Sequence, residues 1–113
     1  MKKMLLLLFG LVAVWSVAAK VTLPDAIGSN MVLQQNTDVK LWGWADPHAA
    51  VKVVASWGAK ASAKSDGEGR WEVTLKTPAG SYEPQRITVA SGDKRVLDNV
   101  LIGEVWFCSG QSN

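Results

Sequence analysis

After residue 19, the chain consists of short segments that alternate apolar residues with polar or small ones, separated by turn-forming residues. Residues 39–44 (VKLWGW) and 71–75 (WEVTL) are examples. Because successive side chains of a strand point to opposite sides of a sheet, a period of two predicts strands with one buried face. An apolar period of 3.6 residues, which an amphipathic helix shows, is absent from this part of the sequence. The pattern therefore predicts an all-β domain.

The alternating segments predict eight or nine strands. They cover residues 21–23, 31–34, 39–44, 51–56, 60–64, 71–75, 86–90, 95–97 and 99–102. Many short strands with frequent turns favour an antiparallel β-sandwich, here of jelly-roll-like type. Leu41, Val53, Val73 and Val89 are expected on the buried faces.

Residues 1–19 have the three parts of a secretory signal peptide. Lys2 and Lys3 give a positive start, an apolar run follows from Met4 to Trp15, and small residues lead up to Ala19. The run is shorter than the roughly 18–20 apolar residues of a membrane-spanning helix, which favours a cleaved leader over an anchor. We therefore expect cleavage before residue 20, export to the periplasm or outside the cell, and no stable membrane anchor.

Composition excludes several classes of partner. The chain has 12 Lys and Arg and 10 Asp and Glu, and two of the basic residues lie in the leader, so the remainder is balanced. A balanced domain lacks the positive footprint of nucleic-acid binders, so no nucleic-acid partner is expected. Asp66 to Gly69 lacks the ligand spacing of a calcium loop, which favours a hairpin turn. No metal or cofactor is predicted.

Residues 100–113 differ from the rest of the chain. Residues 100–102 and 105–108 are nearly continuous apolar runs, as in a strand buried on both faces of an α/β sheet. Cys108, the only cysteine, lies in the second run, which favours a buried side chain over a reactive thiol. We therefore predict a β-sandwich domain over residues 20–99 and the first strand of a truncated α/β domain over residues 100–113.

The chain ends on a small-residue turn, Gly110-Gln111-Ser112-Asn113. Many hydrolases expose a nucleophilic serine on such a turn after a strand, but similar tripeptides also occur in ordinary loops. A nucleophilic serine needs a base, and His48 is the only histidine. Its position in the turn after Asp46-Pro47 favours an exposed loop residue over a base. On these residues alone, catalysis by Ser112 stays open.

Four tryptophans could stack on a sugar, because aromatic faces pack well on apolar ligand surfaces. The large area that each would bury favours core packing instead. They are Trp42, Trp44, Trp57 and Trp71.

Residues 104–113 (EVWFCSGQSN) resemble the nucleophile block of the sialate O-acetylesterase family, carbohydrate esterases of the SGNH-hydrolase type. Earlier segments resemble the N-terminal β-domain of that family in order and spacing, and together the resemblance covers residues 21–113. These segments are Leu23-Pro24, residues 30–35 (NMVLQQ), 39–47 (VKLWGWADP), 66–71 and 99–104.

The resemblance implies that Ser112 is the nucleophile that takes the acetyl group from an O-acetylated carbohydrate. Backbone N–H groups of the turn would hold the oxyanion, and Gly110 would allow close backbone approach. With Gly110, the resemblance places Gln111 and Asn113 at the substrate- or oxyanion-binding part of the motif, without a separate chemical step. The catalytic Asp and His of the family lie downstream, in a C-terminal portion that this sequence lacks, so the chain alone is expected to be inactive. The alternative is a non-catalytic β-sandwich module that binds glycan or a partner.

Overall fold

The computed structural model describes residues 21–105, which form seven β-strands and no helix. The strands are β1 (Val32–Gln34), β2 (Asp38–Trp44), β3 (Ala50–Ala55), β4 (Lys60–Lys64), β5 (Arg70–Lys76), β6 (Ser81–Ser91) and β7 (Asp93–Gly103). Thr22 adds an isolated antiparallel bridge to Trp44 of β2. Within this range, no helix could cross a membrane. The predicted leader lies outside it.

The strands form two sheets around one core. The larger sheet has the order β1-β7-β6-β3-β4, and the smaller one pairs β2 with β5. The core contains Leu41 and Val73 from the smaller sheet and Val53 and Val89 from the larger one. Each of these four side chains is exposed by 5% or less, which confirms their predicted burial. The predicted mainly β fold is confirmed.

A glycine in β2 makes room for the largest buried side chain. Gly43 lies opposite Trp71 of β5 in the register of the smaller sheet. A Cβ at Gly43 would lie 2.9 Å from Trp71 Cζ2 and 2.5 Å from the carbonyl oxygen of Thr22. Because both approaches are far below normal contact distance, the indole of Trp71 can fill the core only over a residue without a side chain.

Strand pairing departs from the antiparallel expectation at one place. β1 runs parallel to β7, whereas the other pairs in residues 21–105 are antiparallel. Parallel neighbours need a long connection, and here strands β2 to β6 supply it. The turn from Asp66 to Gly69 also differs from its prediction, since it joins β4 of the larger sheet to β5 of the smaller one and closes no hairpin. Its shape is held by Asp66 Oδ1, which accepts hydrogen bonds from the backbone N–H groups of Glu68 and Arg70.

The last strand is longer than the sequence predicts. Residues 95–97 and 99–102 form the single strand β7, in which Asn99 takes a positive φ of 56°. The boundary predicted after residue 99 therefore falls inside a strand of the sandwich. Val100 and Ile102 are buried at 0% and 3% exposure because β7 lies between β1 and β6 and its inner face covers the core. Their apolar character thus follows from an interior position in this sheet. Residues 106–113 lie outside the described range.

Candidate functional site

The predicted site residues Gly110, Gln111, Ser112 and Asn113 lie outside the described residues. The described chain reaches Val105, two residues beyond the end of β7. The described part of the candidate site therefore consists of the groups around Gly103 to Val105, where the chain leaves the sandwich. We call this place the β7 exit.

Two segments that carry the family resemblance end together at this exit. In the parallel pair of β1 and β7, Val32 lies opposite Leu101 and Gln34 opposite Gly103. The backbone N–H of Gln35 then donates to the carbonyl oxygen of Gly103 at 2.9 Å. Residues 30–35 and 99–104 are thus neighbours in one sheet, and their polar ends face each other.

Two glutamines and a glutamate form what we call the glutamine clamp, consisting of Gln34, Gln35 and Glu104. Nε2 of Gln35 donates to Oε2 of Glu104 at 2.9 Å, and Nε2 of Gln34 donates to Oε1 at 3.3 Å. The amide oxygens are also used: Gln34 Oε1 accepts from the N–H of Val105 at 2.9 Å, and Gln35 Oε1 accepts from the N–H of Gly80 at 2.7 Å. The clamp therefore fixes both the side chain and the backbone at the start of the segment that leads to Ser112.

A buried threonine holds the backbone next to the clamp. Thr77, 5% exposed, donates from Oγ1 to the carbonyl oxygen of Gln34 at 2.7 Å and accepts from the N–H of Thr37 at 3.0 Å. The N–H of Thr77 donates to the carbonyl oxygen of Thr37 at 2.8 Å. These bonds hold the end of β1, which carries Gln34, and the connection to β2, which carries Gln35.

The clamp favours the ionised form of Glu104. Hydrogen bonds from Gln35 and then Gln34 lower the pKa of its carboxyl group, because they stabilise the charged form, while partial desolvation acts in the opposite direction. Within residues 21–105, no Lys or Arg forms an ion pair with Glu104. A carboxylate held this way accepts hydrogen bonds and has no proton to give, so it suits a positioning role better than that of a general acid.

A hollow of about 320 Å³ opens beside the clamp. Tyr82 stands at its edge with 97% of its surface exposed. Pockets for small ligands start at roughly this size, and an exposed aromatic ring offers a face for a sugar. The lining residues are Gln35, Gly80, Ser81, Tyr82, Ile102, Gly103 and Glu104.

His48 is exposed in the turn after β2, as its sequence context indicates. Its backbone N–H donates to the backbone carbonyl oxygen of Asp66 at 3.2 Å, which joins the turn after β2 to the turn between β4 and β5. No described group at the β7 exit bonds to it.

The tryptophans divide between core and surface. Trp71 is 2% exposed, which confirms core packing, and Trp57 packs against the core while its Nε1 donates to the carbonyl oxygen of Lys76 at 2.8 Å. Trp44 is 41% exposed, so core packing is wrong for this residue. Because Leu41 and Gly43 face the core, the alternation of β2 turns Trp44 outward.

Among residues 21–105, no three His, Cys, Asp or Glu side chains gather to hold a metal ion.

Sequence reasoning included Gln34, Gln35 and Glu104 in the resembling segments but gave them no role. The available signal was the position of polar side chains directly at the ends of two apolar strands. Thr77 carried no signal, because a single threonine before a proline is common in loops.

Known proteins are similar to this chain in both sequence and structure. The sialate O-acetylesterases of Mus musculus and Homo sapiens are each 35% identical over 98 residues, covering 77% of this chain and 18% of theirs. The crystal structure of a carbohydrate acetylesterase from Xanthomonas citri superimposes with a TM-score of 0.72 at 34% identity, covering 77% of this chain and 20% of that one. No family model matches the sequence.

A more distant likeness concerns the fold alone. Domains 4 and 5 of the S-layer protein SbsC superimpose with a TM-score of 0.55 at 14% identity. The described residues therefore form a β-sandwich homologous to part of known carbohydrate esterases. By sequence, the chain belongs to the sialate O-acetylesterase family, and it spans 18% of the length of the curated relatives it matches.

Proposed function

We propose that the protein removes O-acetyl groups from sialic acid or a related acetylated sugar by serine acyl transfer, with Ser112 as the nucleophile. The observation that carries this proposal is the 34% identity and TM-score of 0.72 to a carbohydrate acetylesterase. The glutamine clamp adds support, since it joins two resembling segments at the exit that leads to the predicted nucleophile turn.

The chemistry follows the usual course of serine esterases. Oγ of Ser112 attacks the acetyl carbonyl carbon while a base removes its proton, and the oxyanion is held by N–H groups of the turn near Gly110. The sugar hydroxyl leaves with that proton, and water then releases acetate from the acetyl-enzyme. The base and its carboxylate partner are supplied by a catalytic portion downstream of residue 113, as in the resembling family.

In this scheme the clamp is a positioning device. Val105 is held by Gln34 at 2.9 Å, and Ser112 follows seven residues later in the sequence. A fixed starting point reduces the conformational freedom of the intervening chain, which favours a single orientation of the nucleophile.

The test is Ser112→Ala in the full-length protein, with deacetylation and the acetyl-enzyme followed together, the latter by intact-mass measurement. Loss of the nucleophile should abolish the covalent intermediate and lower kcat by about 10⁶-fold, as for other serine nucleophiles. Ser109→Ala, the same change three residues earlier, is the matched control and should retain activity. Near-normal deacetylation by Ser112→Ala would contradict the assignment of Ser112 as the nucleophile, whereas no deacetylation by the unsubstituted full-length protein would favour a non-catalytic module.

We also propose that the protein is exported after cleavage between Ala19 and Lys20. The charged start, the apolar run and the small residues before Lys20 support this. N-terminal sequencing of the secreted protein should begin at Lys20. A membrane-embedded protein that begins at Met1 would contradict the proposal.

A further inference from the structure

The outer face of the larger sheet carries a group of lysines around an apolar strip. The register between β7, β6, β3 and β4 aligns their outward side chains in two rows. The first row is Lys94, Ala90, Lys52 and Ser62, and the second is Val96, Thr88, Val54 and Lys60. Lys64 extends the same face of β4 two residues beyond Ser62. We call this surface the lysine face.

The positive charge of this face is uncompensated within the described part of the chain. Lys52, Lys60, Lys64 and Lys94 are all exposed, and none forms an ion pair with a residue in 21–105. This contrasts with the smaller sheet, where Lys40 pairs with a glutamate and Lys76 with an aspartate. The difference indicates charge that is available to a partner.

The neighbouring carboxylates are already engaged. Asp98 of β7 accepts a hydrogen bond from Nε of Arg86 at 2.9 Å, at one end of the face. Asp93, next to Lys94, accepts from the N–H of Val21 at 3.2 Å. Neither carboxylate lies in the two lysine rows, so the face keeps its positive sign.

The face also has shape and apolar surface. A hollow of about 430 Å³ is formed along β3 and β4, with Lys52, Lys60 and Ser62 among its lining residues. Val54, also in its lining, is 44% exposed, and Val96 on β7 is 45% exposed. Ammonium groups, a hydroxyl and an apolar floor therefore meet in one concave surface.

We infer that the lysine face binds a carboxylate-bearing saccharide. Its ammonium groups suit the carboxylate, Ser62 and Thr88 offer hydroxyls for sugar hydroxyls, and Val54 offers an apolar contact for a C–H face of the ring. A phosphate backbone would match the charge but would make no use of the apolar strip. The choice of sialic acid as the probe rests on the proposed function, because sialates carry a carboxylate. The β-domain would then hold the anionic glycan that the enzyme deacetylates.

The test measures binding of an oligomer of N-acetylneuraminic acid to the full-length protein by isothermal titration calorimetry. We expect binding that weakens as the salt concentration rises from about 20 mM to about 300 mM, since exposed charges are screened. A neutral glucose oligomer of equal length should not bind. The signal should persist in Ser112→Ala, so that failure of the esterase assignment and failure of this inference are distinguishable.

Variants with equal charge change locate the site. Lys52→Gln with Lys60→Gln should weaken binding about tenfold, because each exposed ion pair contributes up to about a factor of five. Lys40→Gln with Lys76→Gln removes the same charge from the smaller sheet and should leave binding unchanged. Matching melting temperatures and circular dichroism spectra would show that both variants fold. Equal losses in the two variants, absence of binding, equal binding of the neutral oligomer, or tighter binding of single-stranded DNA would overturn the inference.

Discussion

Gln35 and Glu104 are 69 positions apart in the chain, yet Nε2 of Gln35 donates a hydrogen bond to Oε2 of Glu104 at 2.9 Å. The same glutamine accepts from the N–H of Gly80 at 2.7 Å. One side chain thus joins the connection after β1, the loop before β6 and the residue that follows β7. The position of Glu104 after β7 therefore depends on segments that are distant from it in the sequence.

The pKa of Glu104 should depend on the clamp. Gln35→Leu removes the hydrogen bond that contributes most to lowering it, so the pKa should rise towards the ordinary range of glutamate. A ¹³C-detected NMR titration of the carboxyl groups measures this change. Asp66 is an internal control, because its pKa is lowered by backbone N–H groups of Arg70 and Glu68 and should stay where it is. An unchanged Glu104 pKa would contradict the clamp.

The same shift predicts how stability depends on pH. Glu104 has a lowered pKa in the folded state. Its contribution to the free energy of unfolding is therefore fully present above the pKa of an unfolded glutamate, about 4.3. The contribution is lost as the pH falls through the folded value. The difference in unfolding free energy between the wild type and Gln35→Leu should therefore shrink below about pH 4. Urea unfolding across this range measures it, and a difference that grows at acid pH would show the opposite sign.

Thr77→Val should destabilise the domain by about 1–3 kcal/mol, because the substitution keeps the shape but removes the buried Thr77 hydroxyl, which donates to the carbonyl oxygen of Gln34 and accepts from the part-buried N–H of Thr37. Thr74→Val on the exposed face of β5 is the control, with an expected change within about 0.5 kcal/mol. Chemical denaturation of both variants gives the comparison. Equal destabilisation of the two variants would show that the hydrogen bonds of the Thr77 hydroxyl do not stabilise the fold.

Gly43→Ala should cost about 1–3 kcal/mol, since a methyl group would be forced against the ring of Trp71 and the carbonyl oxygen of Thr22. Gly28→Ala serves as the control, because a Cβ there meets no atom within 4 Å. Thermal unfolding monitored by tryptophan fluorescence measures both. A Gly43→Ala protein as stable as the control would mean that the Trp71 indole does not lie over β2.

The 113-residue chain alone should not hydrolyse p-nitrophenyl acetate or O-acetylated sialic acid above background. Its only histidine, His48, is exposed in the turn after β2, and an unactivated serine hydroxyl is a poor nucleophile at neutral pH. The full-length protein is the positive control in the same assay. Hydrolysis by the short chain that disappears in Ser112→Ala would contradict this prediction.

The sequence was sufficient to predict the strands that alternate regularly. β4 occupies residues 60–64 as predicted, and β2, β3 and β5 agree to within one residue at each end. The sequence predicts two segments here, residues 95–97 and 99–102, with Asp98 between them, where the structure has the single strand β7. The strand continues because asparagine tolerates the positive φ observed at Asn99.

Side-chain contacts between distant segments required the register of the sheets. Trp44 faces outward because Gly43, which lies under Trp71 of another strand, faces inward. Nothing local to residues 42–44 identifies which tryptophan of the chain covers the glycine. The clamp likewise depends on a parallel pairing between the first and last strands, which alternation within either strand does not specify.

The parallel pairing of β1 and β7 has a consequence for the order of folding. β7 lies between β1 and β6, so the larger sheet stays open until residues 93–103 have left the ribosome or the export channel. Contacts this distant in the chain form slowly, because the loop between them must close first. Until then, β1 has no neighbouring strand with which to pair. The predicted nucleophile segment therefore follows directly from the strand whose arrival completes the sandwich.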